Sequence, residues 1–300
     1  MKACSFLPAS THIINELGLQ NHLHGVTFEC PSDKPKVVRS YLENTHHSSA
    51  EIDRIVSDYD REGKTLYYID MDLLHAIAPD VIFTQHVCNV CQIGTAFVEK
   101  AIHALPKTPK LIPLVPRRLN DIFDNVLTIA TELDQAEQGQ HLLNQCQQRI
   151  DNIVDMLRKH RAPPRRVMLL EWLDPIYNCG HWIPDQIALA GGSDALSCPA
   201  GYSVPIDWEK ICYYDPEVIV IAPCGFSIER ASEEVDLLKA KPGWQDLQAV
   251  KNQQVYLADA DLFTRPSTSV VNGIELLAAL FHPQLFNIPA AAHDKVQAIA

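Results

Sequence analysis

The sequence predicts an α/β protein of two lobes with mainly parallel sheets, joined by a single long backbone helix, with a ligand cleft between the lobes. Three observations predict it. Each half of the chain alternates short β-branched runs with amphipathic helical stretches, the pattern of parallel strands covered by helices. The segment Asp134 to His160 is rich in Gln, Glu, Leu and Arg and holds one glycine, Gly139, so it reads as one long helix. The chain, at 300 residues, exceeds the usual size of a single domain. The lobes are expected over residues 1–132 and 165–300, with the connecting helix within 133–164.

Ala3 to Leu7 reads as a short buried strand. Ser10 is a candidate N-cap for a helix whose Ile13, Ile14, Leu17 and Leu19 share one face. Gly25 to Phe28 is a second strand, followed by a polar loop with Pro31 and Pro35. Ser48-Ser49-Ala50-Glu51 resembles a capping box and starts a helix towards Tyr59. Met71 to Ile77 is helical and stops before Pro79. Asp80 to Thr84 is a β-rich strand, Leu111 to Val115 a weaker one, and Leu119 to Leu133 a helix. After Pro163-Pro164, strands are expected at Val167 to Leu170, Val218 to Ile221 and Val255 to Leu257. Helices are expected at Pro184 to Ala190, Trp208 to Cys212 and Val270 to Leu280, with helix formers around Pro242-Gly243-Trp244.

Composition narrows the function. A formal net charge of −12 argues against nucleic acid and anionic lipid as partners, because both need clustered Lys and Arg. No stretch reaches the roughly 18 apolar residues of a membrane span. Met1 to Pro8 contains no apolar leader segment, and the nine cysteines do not form an exported disulfide framework. Both features predict a cytoplasmic protein with reduced or metal-bound thiols. No G-x-S-x-G elbow, phosphate loop or H-E-x-x-H motif occurs, so an enzyme is the minority reading.

Several segments resemble one family in order along the whole chain. Phe6-Leu7-Pro8-Ala9-Ser10, Glu16-Leu17-Gly18-Leu19 and Gly25-Val26 resemble the opening of class III substrate-binding proteins of ABC transporters. Ala78-Pro79-Asp80-Val81-Ile82, Leu189-Ala190-Gly191-Gly192, Asp215-Pro216-Glu217-Val218-Ile219, Pro242-Gly243-Trp244 and Val255-Tyr256 follow in the family's order. Within that family the resemblance is to the vitamin B12-binding branch and its iron-siderophore and haem-binding cousins. It implies a non-catalytic protein that closes two lobes over a large metal-containing ligand. An ABC permease becomes a partner if the chain is exported.

In open parallel sheets, ligands sit beyond the carboxyl ends of the strands. Residues in those positions include Glu29 and Cys30, then Gln85, His86, Cys88 and Cys91, then Glu171, Trp172 and Asp174, then Pro223 and Cys224, then Asp259, Asp261 and Arg265. Cys88-Asn89-Val90-Cys91 is a C-x-x-C pair, a spacing that lets two thiolates reach one metal. With Cys30 and Cys224 it would supply four thiolates for zinc or an iron–sulfur cluster. The alternative is that these are inert buried thiols. Trp172, Trp182, Tyr202 and Phe226 are candidates for an aromatic wall against a flat ligand such as cobalamin, or for plain core packing. Glu171 and Arg265 are expected at the cleft as ligand contacts or as a salt bridge. Two further readings stay open: an exported component of an ABC importer for cobalamin or iron complexes, and a redox or metal-dependent enzyme using the cysteine centre.

Overall fold

The computed structural model describes residues 1–85 and 95–299, which form two compact units. The first comprises Met1–His47, Glu51–Pro116 and Asp121–Leu143; the second comprises Ser48–Ala50, Arg117–Asn120 and Asn144–Ala300.

The elements of the first half run β1 (Ala3–Ser5), α1 (Pro8–Glu16), β2 (Leu23–Thr27), β3 (Lys36–Ser40), α2 (Ser49–Arg61), β4 (Tyr67–Ile69), α3 (Met71–Ile77), β5 (Val81–Gln85), α4 (Thr95–Ile102), β6 (Lys110–Leu114), α5 (Leu119–Glu132) and α6 (Ala136–His160). The strands form one sheet in the order β4-β3-β2-β1-β5-β6, parallel except for β3 with β4. Side chains alternate across a strand, and here both faces are covered. Ala3 and Phe83 join one apolar cluster with Ile13, Val126 and Ile129. Their neighbours Cys4 and Ile82 join the other, with Leu74 and Val98. That double burial is why β1 and β5 read as continuous apolar runs.

The start of α1 and the strands β3 and β4 depart from the expectations. Helix α1 starts at Pro8, which occupies the first helical turn, and Leu7 is the N-cap. Proline is pre-set for that position because its missing N–H would be unpaired there anyway. Ser10 therefore lies inside the helix, and its hydroxyl donates back to the Leu7 carbonyl. Strand β3 lies just beyond the loop read as polar, and β4 pairs antiparallel at the sheet's edge. Helix α3 ends as expected, with Ala78 in the left-handed region at φ 46° just before Pro79.

The second half runs β7 (Arg165–Leu170), β8 (Gly180–His181), α7 (Ile183–Leu189), β9 (Gly192–Ser193), β10 (Cys198–Pro199), α8 (Trp208–Tyr214), β11 (Val218–Ile221), α9 (Ile228–Ser232), α10 (Asp236–Lys239), α11 (Gln248–Lys251), β12 (Val255–Ala258), α12 (Ser269–Phe281) and β13 (Val296–Ala298). The main sheet of the second unit has the order β13-β12-β11-β7-β9, parallel except for β12 with β13. A separate two-residue parallel ladder joins β8 to β10. Helix α12 is almost wholly buried. Arg149 of α6 makes a two-pronged ion pair with Glu275 of α12 and also donates to Asn272. No helix among the described residues is long and apolar enough to cross a membrane.

Candidate functional site

Strand β7 ends at Leu170, and the chain then makes an irregular excursion before returning to α7. Trp172 bridges Tyr177, and Tyr177 bridges Pro205, so the segments after β7 and around residue 203 are laced together. A cis peptide links Asp174 to Pro175. The β8–β10 ladder then brings His181 beside the 200–203 loop: His181 N–H donates to Gly201 O at 2.7 Å, and Ala200 N–H donates to His181 O at 3.0 Å. Gly180 is required at this crossing, because a Cβ there would lie 2.6–2.8 Å from the backbone of Gly201, Tyr202 and Ser203.

This ladder presents a cluster of rings. The His181 imidazole lies 5.5 Å from the Trp182 ring and 5.4 Å from the Tyr202 ring, which it meets edge-on at 84°. The Arg117 guanidinium stands 5.9 Å from the Tyr202 ring centre. Tyr202 is exposed at 53%, so the cluster opens to solvent on that side. His181 holds a left-handed φ of 52°, an unfavourable conformation for a residue with a Cβ. Its Nε2 is buried and has no hydrogen-bond partner. Burial and then the nearby Arg117 lower its pKa, so the ring is neutral at neutral pH.

Glu171 sits behind the cluster. One carboxyl oxygen accepts from Gly180 N–H at 2.9 Å and the other from Ser203 O–H at 2.6 Å. The residue is half-buried by surface area, but protein atoms crowd its carboxyl, and burial pushes it up to about 7 against the pull of these two hydrogen bonds. Nearby, burial also pushes Asp194 up to about 6 and the Cys179 thiol well above its ordinary range.

A second group flanks the same excursion within the second unit. Trp172 packs on Phe226 at 5.1 Å, and the Arg230 guanidinium lies 4.4 Å from the Phe226 ring centre. Trp172 donates its indole N–H to Ser49 O at 3.2 Å. Ser49 N–H donates at 3.0 Å to the buried Glu234 carboxylate, which also receives Arg230. Burial alone would raise Glu234, but the Ser49 and Arg230 hydrogen bonds outweigh it and hold the carboxyl below its usual value.

The expected ligand-contacting residues thus divide. Trp172, Phe226, Trp182, Tyr202 and Glu171 fall in this region. Trp182 is only 4% exposed and donates its indole N–H to Phe263 O, so it backs His181 rather than facing solvent. Phe226 is likewise buried. Arg265 is paired with Asp261 at 2.7 Å on the loop before α12. Sequence reasoning missed His181 and Arg117. His181 was hidden because its importance comes from the ladder and the left-handed backbone, neither visible in Cys179-Gly180-His181-Trp182.

Of the proposed cysteine ligands, Cys88 and Cys91 lie outside the described residues, as does His86. Cys30 is buried in the first unit, donates its thiol to Thr11 Oγ1 at 3.1 Å, and is pushed up by burial. Cys224 is exposed in the second unit. Among the described residues no group of three or more His, Cys, Asp or Glu is placed to hold a metal ion. The four-thiolate zinc or iron–sulfur site therefore has no support here.

A family model described as periplasmic binding protein matches residues 8–262, most of the chain. The chain belongs to the periplasmic binding protein family. Among its relatives, the Fe(3+)-citrate-binding protein of Bacillus subtilis is 25% identical over 202 residues, covering 65% of this chain and 58% of that protein. A vitamin B12-binding protein of Vibrio cholerae is 26% identical over 164 residues, covering 53% and 55%. The chain thus spans somewhat over half the length of these two curated relatives. A crystal structure of a periplasmic heme-binding protein from Pseudomonas aeruginosa shares the fold with a TM-score of 0.72 at 16% identity, covering 100% of this chain and 98% of that one.

Family membership confirms the resemblance read from the sequence and overturns the expectation of a cytoplasmic protein. The family is one of periplasmic binding proteins, and the Pseudomonas aeruginosa neighbour is itself periplasmic. The cytoplasmic reading rested on the residues at the start of the chain and on its cysteines. Neither decides where a binding protein works: among the described residues most of the free cysteines are buried, as the thiol is a small apolar group.

Proposed function

We propose that this periplasmic binding protein is the exported substrate-binding component of an ABC importer, and that it carries a metal-containing ligand of the cobalamin, haem or iron-complex class. The observation that carries the reading is His181: a neutral imidazole with a buried, unpartnered Nε2, held in a left-handed backbone beside the exposed Tyr202 phenol. An unpaired buried polar atom costs about 1–3 kcal/mol, and a strained backbone conformation costs a similar amount. Such costs concentrate where a ligand supplies the missing partner.

The surrounding chemistry suits that class of ligand. Neutral imidazole and phenol are donors to metals. Trp172 and Tyr202 offer ring faces for a planar macrocycle, and Arg117 offers a guanidinium for a carboxylate or phosphate on its rim. The named ligands of the relatives, Fe(3+)-citrate, vitamin B12 and heme, fall in the same class.

The test is direct. Purified protein is incubated separately with cyanocobalamin, hemin and ferric citrate, freed of excess by gel filtration, and examined by absorption spectrum and metal analysis. One probe is expected to co-elute at one per chain. Elution free of all three would refute the reading.

A further inference from the structure

Glu171 ties the two ring-bearing segments through its side chain. Its two carboxyl oxygens are divided between them: Oε1 takes the N–H of Gly180, next to His181, and Oε2 takes the hydroxyl of Ser203, next to Tyr202. The ladder hydrogen bonds between His181, Ala200 and Gly201 sit at two-residue strands, which contribute little order alone, and the Asn178 amide oxygen adds one further tie by accepting from Val204 N–H at 2.8 Å. The close approach at Gly180 leaves no side chain there to brace the crossing.

We propose that Glu171 is a positioning residue of this site, clamping the His181 and Tyr202 segments together, and that ionisation of its carboxyl loosens the clamp and so makes ligand retention depend on pH. The ligand half of this inference rests on the reading of His181 and Tyr202 as ligand-facing.

The groups that face the clamp decide the direction. From the strand and loop beyond β8 come the Cys179 thiol and, bonded to it, the Asp194 carboxyl. From the 200–203 loop comes the Ser203 hydroxyl, with Tyr202 beyond it. Arg117 lies against Tyr202 and acts on His181. Burial and its two hydrogen bonds set the state of Glu171, and among the described residues no ion pair joins it to a cation. Protonated, the carboxyl bridges both segments at no ionic cost. Ionised, it carries a charge into a site where the Asp194 carboxyl, pushed up only to about 6, is already anionic, while the Cys179 thiol stays neutral because burial raises it well above its ordinary range. An uncompensated buried charge draws in water or opens the structure around it. A rise through pH 7 therefore slackens the ring cluster.

Glu171→Gln is the decisive variant. Its amide oxygen accepts from Gly180, and its amide N–H donates to the Ser203 oxygen, so it mimics the protonated clamp at every pH. Glu171→Ala removes the clamp, and Ser203→Ala halves it if the alanine variant folds poorly. The primary readout uses no ligand: the aromatic ¹³C–¹H signals of Tyr202, followed by NMR from about pH 5.5 to pH 8.5. The wild type is expected to show a transition with a midpoint near 7, and Glu171→Gln to lack it while keeping the low-pH line position. A wild-type Tyr202 signal that is flat across this range, or the same transition in Glu171→Gln, overturns the proposal. The second readout is affinity for hemin and cyanocobalamin at about pH 6 and about pH 8. Wild-type affinity should fall severalfold on going to the higher pH, and that of Glu171→Gln should not. A ring transition with no binding of either probe supports the clamp and counts against its link to these ligands. Binding that is insensitive to pH in the wild type overturns the link as well.

Discussion

Gly273 sets two effects of comparable size against each other, and the structure says which wins. It lies in the interior of α12, where glycine is worse than alanine by roughly 0.5–1 kcal/mol on backbone grounds alone. Propensity therefore predicts that Gly273→Ala stabilises the protein. The packing predicts the reverse. A Cβ on residue 273 would lie 2.2 Å from the Leu262 carbonyl oxygen and 2.7 Å from Gln186 Nε2. The first is a backbone atom in the turn Ala260–Leu262 and cannot swing away as a side-chain tip would. Gln186 Nε2 also donates to that same carbonyl at 3.0 Å, and to Val270 O at 2.8 Å. Making room means moving the turn or breaking a buried hydrogen bond. Overpacking costs about 1–3 kcal/mol and an orphaned buried polar group about as much again. Either cost alone, set against a gain of at most about 1 kcal/mol, leaves a net loss of up to about 2 kcal/mol, and both together leave more. Urea unfolding followed by tryptophan fluorescence measures it, with a lower midpoint and unchanged slope as the expected result. A variant as stable as the wild type, or more so, would refute the packing argument.

Other outcomes follow from the same structure. The stability that Glu171 and Asp194 contribute should fall as pH rises from about 4 to about 7, against the opposite contributions of Glu234 and His181, which the fold lowers. Glu171 and Asp194 are both raised in the fold, from ordinary values of 4.5 and 3.8 to about 7 and about 6. The folded state thus holds protons that the unfolded chain has already released, and it loses that advantage through the window. For Glu171, about 1.4 kcal/mol per unit gives at most about 3 kcal/mol, less for whatever solvent screens. Denaturation midpoints across this range check it, and Glu171→Gln should flatten the profile. Trp182→Phe keeps the ring but orphans the Phe263 carbonyl, for an expected loss of about 1–3 kcal/mol by urea unfolding. Arg149→Met removes the part-exposed Arg149–Glu275 pair and its bond to Asn272, and should cost about 1 kcal/mol, less at high salt. Cys30→Ala removes a buried thiol bonded to Thr11 and should lower stability by about 1 kcal/mol without changing the metal content of the purified protein.

The parts of the fold legible in the sequence are those whose signal is local. β5, β7 and β11 are apolar because both sheet faces are covered, and α6 declares itself by length and lack of breakers. The parts missed are those that pairing alone creates: β3 and β4 at a sheet edge, and the two-residue β8–β10 ladder. The site shows the same division. The strand-end rule reached Glu171 and Trp172, the first residues after β7. It also selected Cys30 and Cys224, each three residues past its strand, where direction is no longer set by the strand. Cys30 turns into the core and Cys224 to solvent. His181 escaped because its role depends on a left-handed φ and a loop some twenty residues downstream.

The central claim is that this family member holds a metal-containing ligand at the His181–Tyr202 cluster. Equilibrium titration of the wild type, His181→Ala and Tyr202→Ala with hemin, cyanocobalamin and ferric citrate, followed by tryptophan quenching and the ligand's own absorption, tests it most directly. The account predicts saturable one-to-one binding of one probe by the wild type, weakened by both substitutions while the folded-state circular dichroism is unchanged. Tight binding that neither substitution alters would contradict the site, and no binding of any probe would contradict the function.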